Sequence, residues 1–181
     1  YKNKANLGND WGRRHEIILH LRKSKDFTFN IDSIRIPYSE HTLKYPNHPQ
    51  AETSQYGNGK KVNLNWEPNP LGAKPKDVIE IPTTCNGMHE KTQHPTQKPE
   101  ELLRKIILVS SNKNDVVLDP FCGSGTTPVC AEQLNRKWLA CDISKEYLEW
   151  AAKRLELVEN WQIEQWIKYD FENMKRRYSI R

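Results

Sequence analysis

Residues 116–127 read Val-Val-Leu-Asp-Pro-Phe-Cys-Gly-Ser-Gly-Thr-Thr. Val116 to Leu118 form a short, wholly apolar run, the kind of strand that a parallel sheet buries on both faces. A tight turn with two glycines follows, and then an apolar-periodic stretch, Thr126 to Leu134, that reads as a helix with Pro128 tolerated in its first turn. Lys137 to Asp142 read as a second strand, closing on an acid 23 residues after Asp119. Ser144 to Leu157 read as the next helix, with Ser144 as its N-cap. Strand, helix, strand, helix is a right-handed βαβ unit.

The glycine turn carries the chemistry. Gly123 and Gly125 admit backbone torsions closed to residues with a Cβ, and they let a ligand approach the main chain. The helix behind them offers unpaired amides. A carboxylate ending the second strand, here Asp142, is placed to accept hydrogen bonds from two ribose hydroxyls. The fingerprint is GxG followed by Thr126, not GxGxxG. That spacing argues against a dinucleotide and favours a ligand with an amino-acid tail and a single nucleoside.

Outward from this unit, Pro99 at a first helical position opens PEELLRKIILVSS, with two carboxylates in the first turn and Leu102, Leu103, Ile106 and Ile107 on one helical face. Asn112 to Asp115 read as a turn. HEIILHL (15–21) reads as a strand, and FTFNIDSIRI (27–36) as an edge strand or extended segment. Between Pro37 and about Thr92 periodicity is lost among Pro37, Pro46, Pro49, Pro68, Pro70, Pro75 and Pro82. Tyr38, Tyr45, Tyr56, Lys60, Lys61, Asn63, Asn65 and Trp66 fall here, a mixture suited to nucleic acid. Composition alone leaves a solvated loop equally open. A third strand is expected near Ile163 to Ile167, ahead of a basic end.

At 181 residues the chain holds one domain, or one domain plus an insert. Its net charge of +5 and pI near 9.0 are compatible with a nucleic-acid partner. Hydrophobic residues make up 36% and mean hydropathy is −0.87, so the core has to be concentrated, and the apolar residues gather between Leu102 and Leu157. Cys85, Cys122, Cys130 and Cys141 form no CxxC pair, which favours a reduced, cytoplasmic protein. Cys85, His89 and His94 lack a fourth ligand at motif spacing, so no metal is expected. No run is long enough to span a bilayer, no signal-peptide pattern opens the chain, and the opening Tyr1 reads as a cut.

The motifs together resemble a known family. DPFCGSGTT (119–127) is similar to the S-adenosylmethionine loop of DNA amino-methyltransferases, and HPTQKPEELLRKII (94–107) to the element placed directly before that loop. HPTQKP first, then DPFxGSG, then ACDIS is the order of the β class of N6-adenine and N4-cytosine DNA methyltransferases. WGRRHEIILHL resembles the strand preceding the target-recognition region in that class, and NPLGAKPKDVIEIPT (69–83) its closing stretch. The likeness runs from about residue 5 to residue 157.

The resemblance implies an α/β, Rossmann-like methyltransferase fold with an irregular target-recognition insert. Residues 1–30 would lead into the insert, 31–93 would form the target-recognition region, and 94–181 the S-adenosylmethionine-binding subdomain. Asp119, Phe121, Gly123, Ser124, Gly125 and Thr126 would line the cofactor, with Phe121 near the adenine ring. Asp142 would hold the ribose and Ile143 would pack beside the adenine. Thr96 and Lys98 would sit near the methionine carboxylate. Double-stranded DNA is the implied partner, with Arg13, Arg14, Lys60 and Lys61 as candidate contacts.

The chain departs from the family in one respect. The catalytic Asp/Asn/Ser-Pro-Pro-aromatic tetrapeptide, which holds the exocyclic amine and stacks on the flipped base, occurs nowhere. Pro37-Tyr38 has one proline, Pro68-Asn69-Pro70 has no aromatic residue, and Asp119-Pro120-Phe121 belongs to the cofactor loop. No catalytic residue is therefore assigned. In the family two central strands separate WGRRHEIILHL from VVLD, so an incomplete sheet is expected, needing a complementary segment or chain.

Overall fold

The computed structural model describes residues 15–44 and 68–158. Its elements in order are a 3-10 turn at Ile31–Ile34, helix α1 at Glu40–Lys44, helix α2 at Glu100–Ser110, strand β1 at Val116–Asp119, helix α3 at Thr126–Gln133, strand β2 at Lys137–Ala140 and helix α4 at Lys145–Glu156. Arg13, Arg14, Lys60, Lys61 and the expected strand at Ile163 to Ile167 lie outside the described residues.

The βαβ unit is present. β1 and β2 pair in parallel, Val116 with Lys137 through Asp119 with Ala140. Backbone bonds continue past both strand ends: the Cys141 amide donates to the Asp119 carbonyl (3.1 Å) and the Cys122 amide to the Cys141 carbonyl (3.0 Å). α3 packs against both strands and against α2 and α4. The core is Ile107, Cys130, Ala131 and Leu134, with Leu103, Leu108, Val117 and Trp138 packed around it. The Cys130 thiol is fully buried, which pushes its pKa up.

Four expectations are corrected. Burial of VVL on both faces is met on one face only, because Val117 turns to the core while Val116, Leu118 and Leu139 stand exposed. HEIILHL forms no ladder among the described residues: His15 makes a bridge, and Ile17, Ile18, Leu19 and Leu21 are exposed. A strand is stabilised only by neighbours, and the two-stranded sheet does not extend to this segment. Within 27–36, Ile31–Ile34 form a 3-10 turn instead of staying extended, held by a side-chain bond to the backbone and by an ion pair. There the Ser33 hydroxyl donates to the Asn30 carbonyl (2.6 Å), and Arg35 pairs with Asp32 (2.6 Å). Pro99 is the N-cap of α2, one position earlier than a first helical residue, and Arg104 joins Leu102 and Ile107 on its buried face.

The irregular region is closed at its base. Ile36 and Ala73 form an antiparallel bridge, with both amide-to-carbonyl bonds made (3.0 and 2.8 Å). The Arg35 guanidinium donates to the Gly72 carbonyl (2.8 Å), and the Asn69 amide to the Tyr38 hydroxyl (2.7 Å). The chain therefore leaves and re-enters the domain at one neck. α1, five residues long, lies just beyond it in a stretch read as irregular. Among the described residues no helix is long and apolar enough to cross a membrane.

Candidate cofactor site

The site forms at the carboxyl ends of β1 and β2, where an open α/β sheet accepts ligands. The Gly125 amide donates to the Cys122 carbonyl (2.8 Å), closing the turn, and Gly125 (φ 80°) is the N-cap of α3. Gly123 also has positive φ (52°). Both are locked by close neighbours as well as by torsion. A Cβ on Gly125 would lie 2.5 Å from the Ala151 methyl of α4, and one on Gly123 would lie 2.8 Å from His94 Nε2.

Asp142 ties the turn to the end of β2. Its Oδ2 accepts from the Gly123 amide (2.9 Å) and its Oδ1 from the Ser144 amide (3.0 Å). These amides, Ser144's first, hold the carboxyl below its ordinary pKa. A carboxylate has about four lone-pair sites, so two amides do not exhaust it. Asp119 makes a similar local turn, its Oδ1 accepting from the Phe121 amide (3.0 Å). Phe121, after β1, is 85% exposed, and Ile143, after β2, is fully exposed. Two apolar side chains thus stand uncovered beside two carboxylates.

HPTQKP runs against the turn. Gln97 is buried and organises the loop before it: its Oε1 accepts from the Thr92 amide and hydroxyl (2.8 Å each), and its Nε2 donates to the Glu90 carbonyl (2.6 Å). His94 Nδ1 accepts from the Thr96 amide (3.3 Å), which leaves the proton of the neutral ring on Nε2, over Gly123. The His94 ring meets Tyr147 of α4 edge to face at 4.4 Å. Burial lowers the His94 pKa, against the opposing attraction of Asp142. Thr96 and Lys98 are exposed, and Lys98 Nζ donates to Glu16 Oε2 at 2.7 Å.

Ser124 and Thr126 are buried, and Arg154 of α4 donates to both residues. Of the candidate residues, Asp119, Phe121, Gly123, Ser124, Gly125, Thr126, Asp142 and Ile143 belong to this one strand-end cluster. Thr96 and Lys98 lie on the adjoining loop, which reaches the turn where the Thr126 hydroxyl donates to the Lys98 carbonyl (3.3 Å). His94, Glu100, Tyr147, Ala151 and Arg154 were not anticipated. Arg154 stands in the last turn of a helix, where a basic residue ordinarily means a favourable dipole contact in solvent, so its sequence position carried no signal. Glu90 shares this corner: its carboxylate caps the Glu100 amide (2.7 Å), and burial pushes its pKa up.

Comparison with known proteins gives one consistent answer. Residues 1–154 match the DNA methylase family. The type II methyltransferase M.BglII of Bacillus subtilis is 39% identical over 142 residues, covering 78% of this chain and 36% of the relative. The DNA adenine methyltransferase YhdJ of Escherichia coli (strain K12) is 33% identical over 159 residues, covering 87% of this chain and 50% of the relative. Among solved structures, M1.HpyAVI in complex with SAM is 44% identical, covering 45% of this chain and 42% of that one, with a TM-score of 0.38. The chain spans about half the length, or less, of the curated relatives it matches.

Proposed function

The chain belongs to the DNA methylase family, and from that premise we propose that it is the methyl-donor-binding and target-recognition portion of a DNA amino-methyltransferase. The observation that carries this reading is the Gly123–Asp142 hydrogen bond (2.9 Å), which joins the glycine turn to the second-strand acid at one strand end. When bound, S-adenosylmethionine supplies the methyl group, and the acceptor is the exocyclic amine of adenine (N6) or cytosine (N4).

The residues present fit such a donor. Asp142 keeps lone pairs for ribose hydroxyls after its two amide bonds. Exposed Phe121 and Ile143 offer apolar surface to a flat base. Gly123 and Gly125 take the positive φ that bends the chain at the strand ends, where the donor would dock. Lys98 would meet the donor's carboxylate, in competition with Glu16 for the same ammonium. Residues 31–93 would face double-stranded DNA, with Lys60 and Lys61 contributing phosphate contacts there and Arg13 and Arg14 before it.

The amine-holding tetrapeptide would come from a complementary segment or chain. Among the described residues β1 has a sheet neighbour on one side only and the Val116–Leu118–Leu139 face is bare, which supports that reading: an added strand would pair the open edge, and chain packed on the sheet would cover the face. A reduced, cytoplasmic setting accords with four free cysteines. A second reading is a DNA- and cofactor-binding subunit without chemistry of its own, which differs from the first in whether an added tetrapeptide restores methyl transfer.

Radiolabelled methyl transfer to duplex DNA, with and without a polypeptide carrying Asp-Pro-Pro-Tyr, decides between them. Transfer only with the added polypeptide is the expected result. Donor binding with no transfer in any combination would favour the non-catalytic subunit. Asp142→Ala is expected to weaken donor binding on the order of tenfold or more by calorimetry, and unchanged affinity would remove Asp142 from the site.

A further inference from the structure

Building on the reading of residues 119–126 as the methyl-donor turn, we propose that Arg154 is a positioning residue that fixes the shape of that turn from behind. One guanidinium makes four contacts. Nη1 donates to the Ser124 carbonyl (2.9 Å), the Thr126 hydroxyl (3.1 Å) and, more weakly, the Ser124 hydroxyl (3.4 Å). Nη2 donates to Glu100 Oε1 at 2.7 Å. The Arg154 and Glu100 side chains are only 11% and 14% exposed, so the pair is largely withdrawn from solvent screening.

The Ser124 carbonyl is the informative contact. A peptide unit is planar and trans, so its carbonyl and the following amide point in opposite directions. Holding the Ser124 carbonyl on Arg154 therefore fixes the Gly125 amide on the other side, where it meets the Cys122 carbonyl. Glycine torsions alone leave that plane open; Ala151 and His94 limit the turn by contact, and Arg154 is the side chain that holds the Ser124 carbonyl. Thr126 passes the restraint on through its bond to the Lys98 carbonyl, which couples HPTQKP to the turn.

The guanidinium is itself held. Glu100 Oε2 accepts from Arg104, and Arg104 Nε donates to Gln133 Oε1 (2.9 Å). α2, α3 and α4 thus meet behind the turn through one polar network. A fork with several fixed N–H directions can serve the carbonyl, the hydroxyl and the carboxylate together, whereas an ammonium on a flexible stem cannot hold all three in place. Arg154 would touch neither donor nor DNA, so its effect on binding passes through the turn.

Hydrogen exchange on the full 181-residue chain tests this, with S-adenosylhomocysteine as the calorimetric probe. Arg154→Met should speed exchange at the Gly123 and Gly125 amides at least about tenfold relative to amides inside α2, and Arg154→Lys should do so to a lesser degree. Arg136→Met, which removes a buried guanidinium from Ser111 and Leu134, is the control for general loss of stability. It should lower Tm while leaving the turn-to-core exchange ratio and the probe's Kd within about twofold. Turn and core loosening together in the Arg154 variants, as in the control, would overturn the proposal. If Arg154→Met fails to fold, Arg154→Lys carries the same comparison. A loosened turn in a chain that does not bind the probe would retire the donor reading and leave the positioning role standing. A turn unmoved by Arg154→Lys, with binding intact, would do the reverse.

Discussion

The tripeptide Ile-Ile-Leu occurs twice in this chain, at 17–19 and at 106–108, with opposite fates. At 106–108 it is helical, and Ile107 is 3% exposed at the centre of the core. At 17–19 it forms no helix and no ladder, and Ile17 and Leu19 are 79% and 76% exposed. Intrinsic preference is the same in both places, so the difference lies in what surrounds them. The second copy has α3 and the sheet to pack against, whereas the first has no covering layer among the described residues. Apolar sequence is thus a demand for burial that the rest of the molecule either meets or leaves open.

The most direct way to break the comparison is to truncate both copies. Ile107→Ala is expected to destabilise the chain by about 2–5 kcal/mol through lost transfer and cavity formation. Ile17→Ala is expected to fall within about 0.5 kcal/mol, as for an exposed position. Urea melts followed by circular dichroism would read both. An equal cost at the two sites would mean that Ile17 is covered in solution.

A smaller effect tests the polar frame of the packed copy. Arg136 is buried beside the core, donating to the Leu134 carbonyl (2.6 Å) and the Ser111 carbonyl (2.8 Å). Arg136→Met should cost about 1–3 kcal/mol, the penalty for leaving buried acceptors short of a donor. A melt unchanged from the parent chain would show that the site accepts water in its place.

The smallest effects are in pH. The folded pKa of His94 is depressed from 6.5, so the unfolded chain takes that proton first. Its contribution is complete above about pH 6.5 and declines as acid carries the solution down through the folded value. Asp142, depressed from 3.8, adds a second decline below about pH 4 by the same logic. His94→Phe should erase the upper arm of the Tm–pH curve and Asp142→Asn the lower one. Both arms persisting in both variants would assign the acid sensitivity to other groups.

What could be read from sequence divides along the same line. The βαβ unit was legible because its signals are local: an apolar run, two glycines, a helical period and a capping serine whose Oγ accepts from the Tyr147 amide (3.3 Å). The candidate site was legible to the same extent, since Asp119, Phe121, Gly123, Gly125 and Asp142 lie on or beside those signals. Asn30, by contrast, the cap of the 3-10 turn, is anchored by donating its side-chain amide to the Ser111 carbonyl (2.9 Å) 81 positions away, a contact no local pattern reveals. HEIILHL could not be judged from its own residues, because a strand depends on partners from elsewhere in the fold. The Arg154–Glu100 pair was hidden for a related reason. Each residue looks like an ordinary helix-end charge, and only the approach of α2 to α4 makes them one unit.

Ala151 imposes a limit of another kind. Its methyl group stands where any carbon added to Gly125 would fall, so the helix surface and the bend share a single contact plane. Ala151→Val would push on that plane from the opposite direction and leave every residue of the glycine signature untouched. The bend is therefore specified twice, once by its own small residues and again, 26 positions later, by the modest bulk of a helical one. A relative could keep the first specification, lose the second, and carry the signature without the shape.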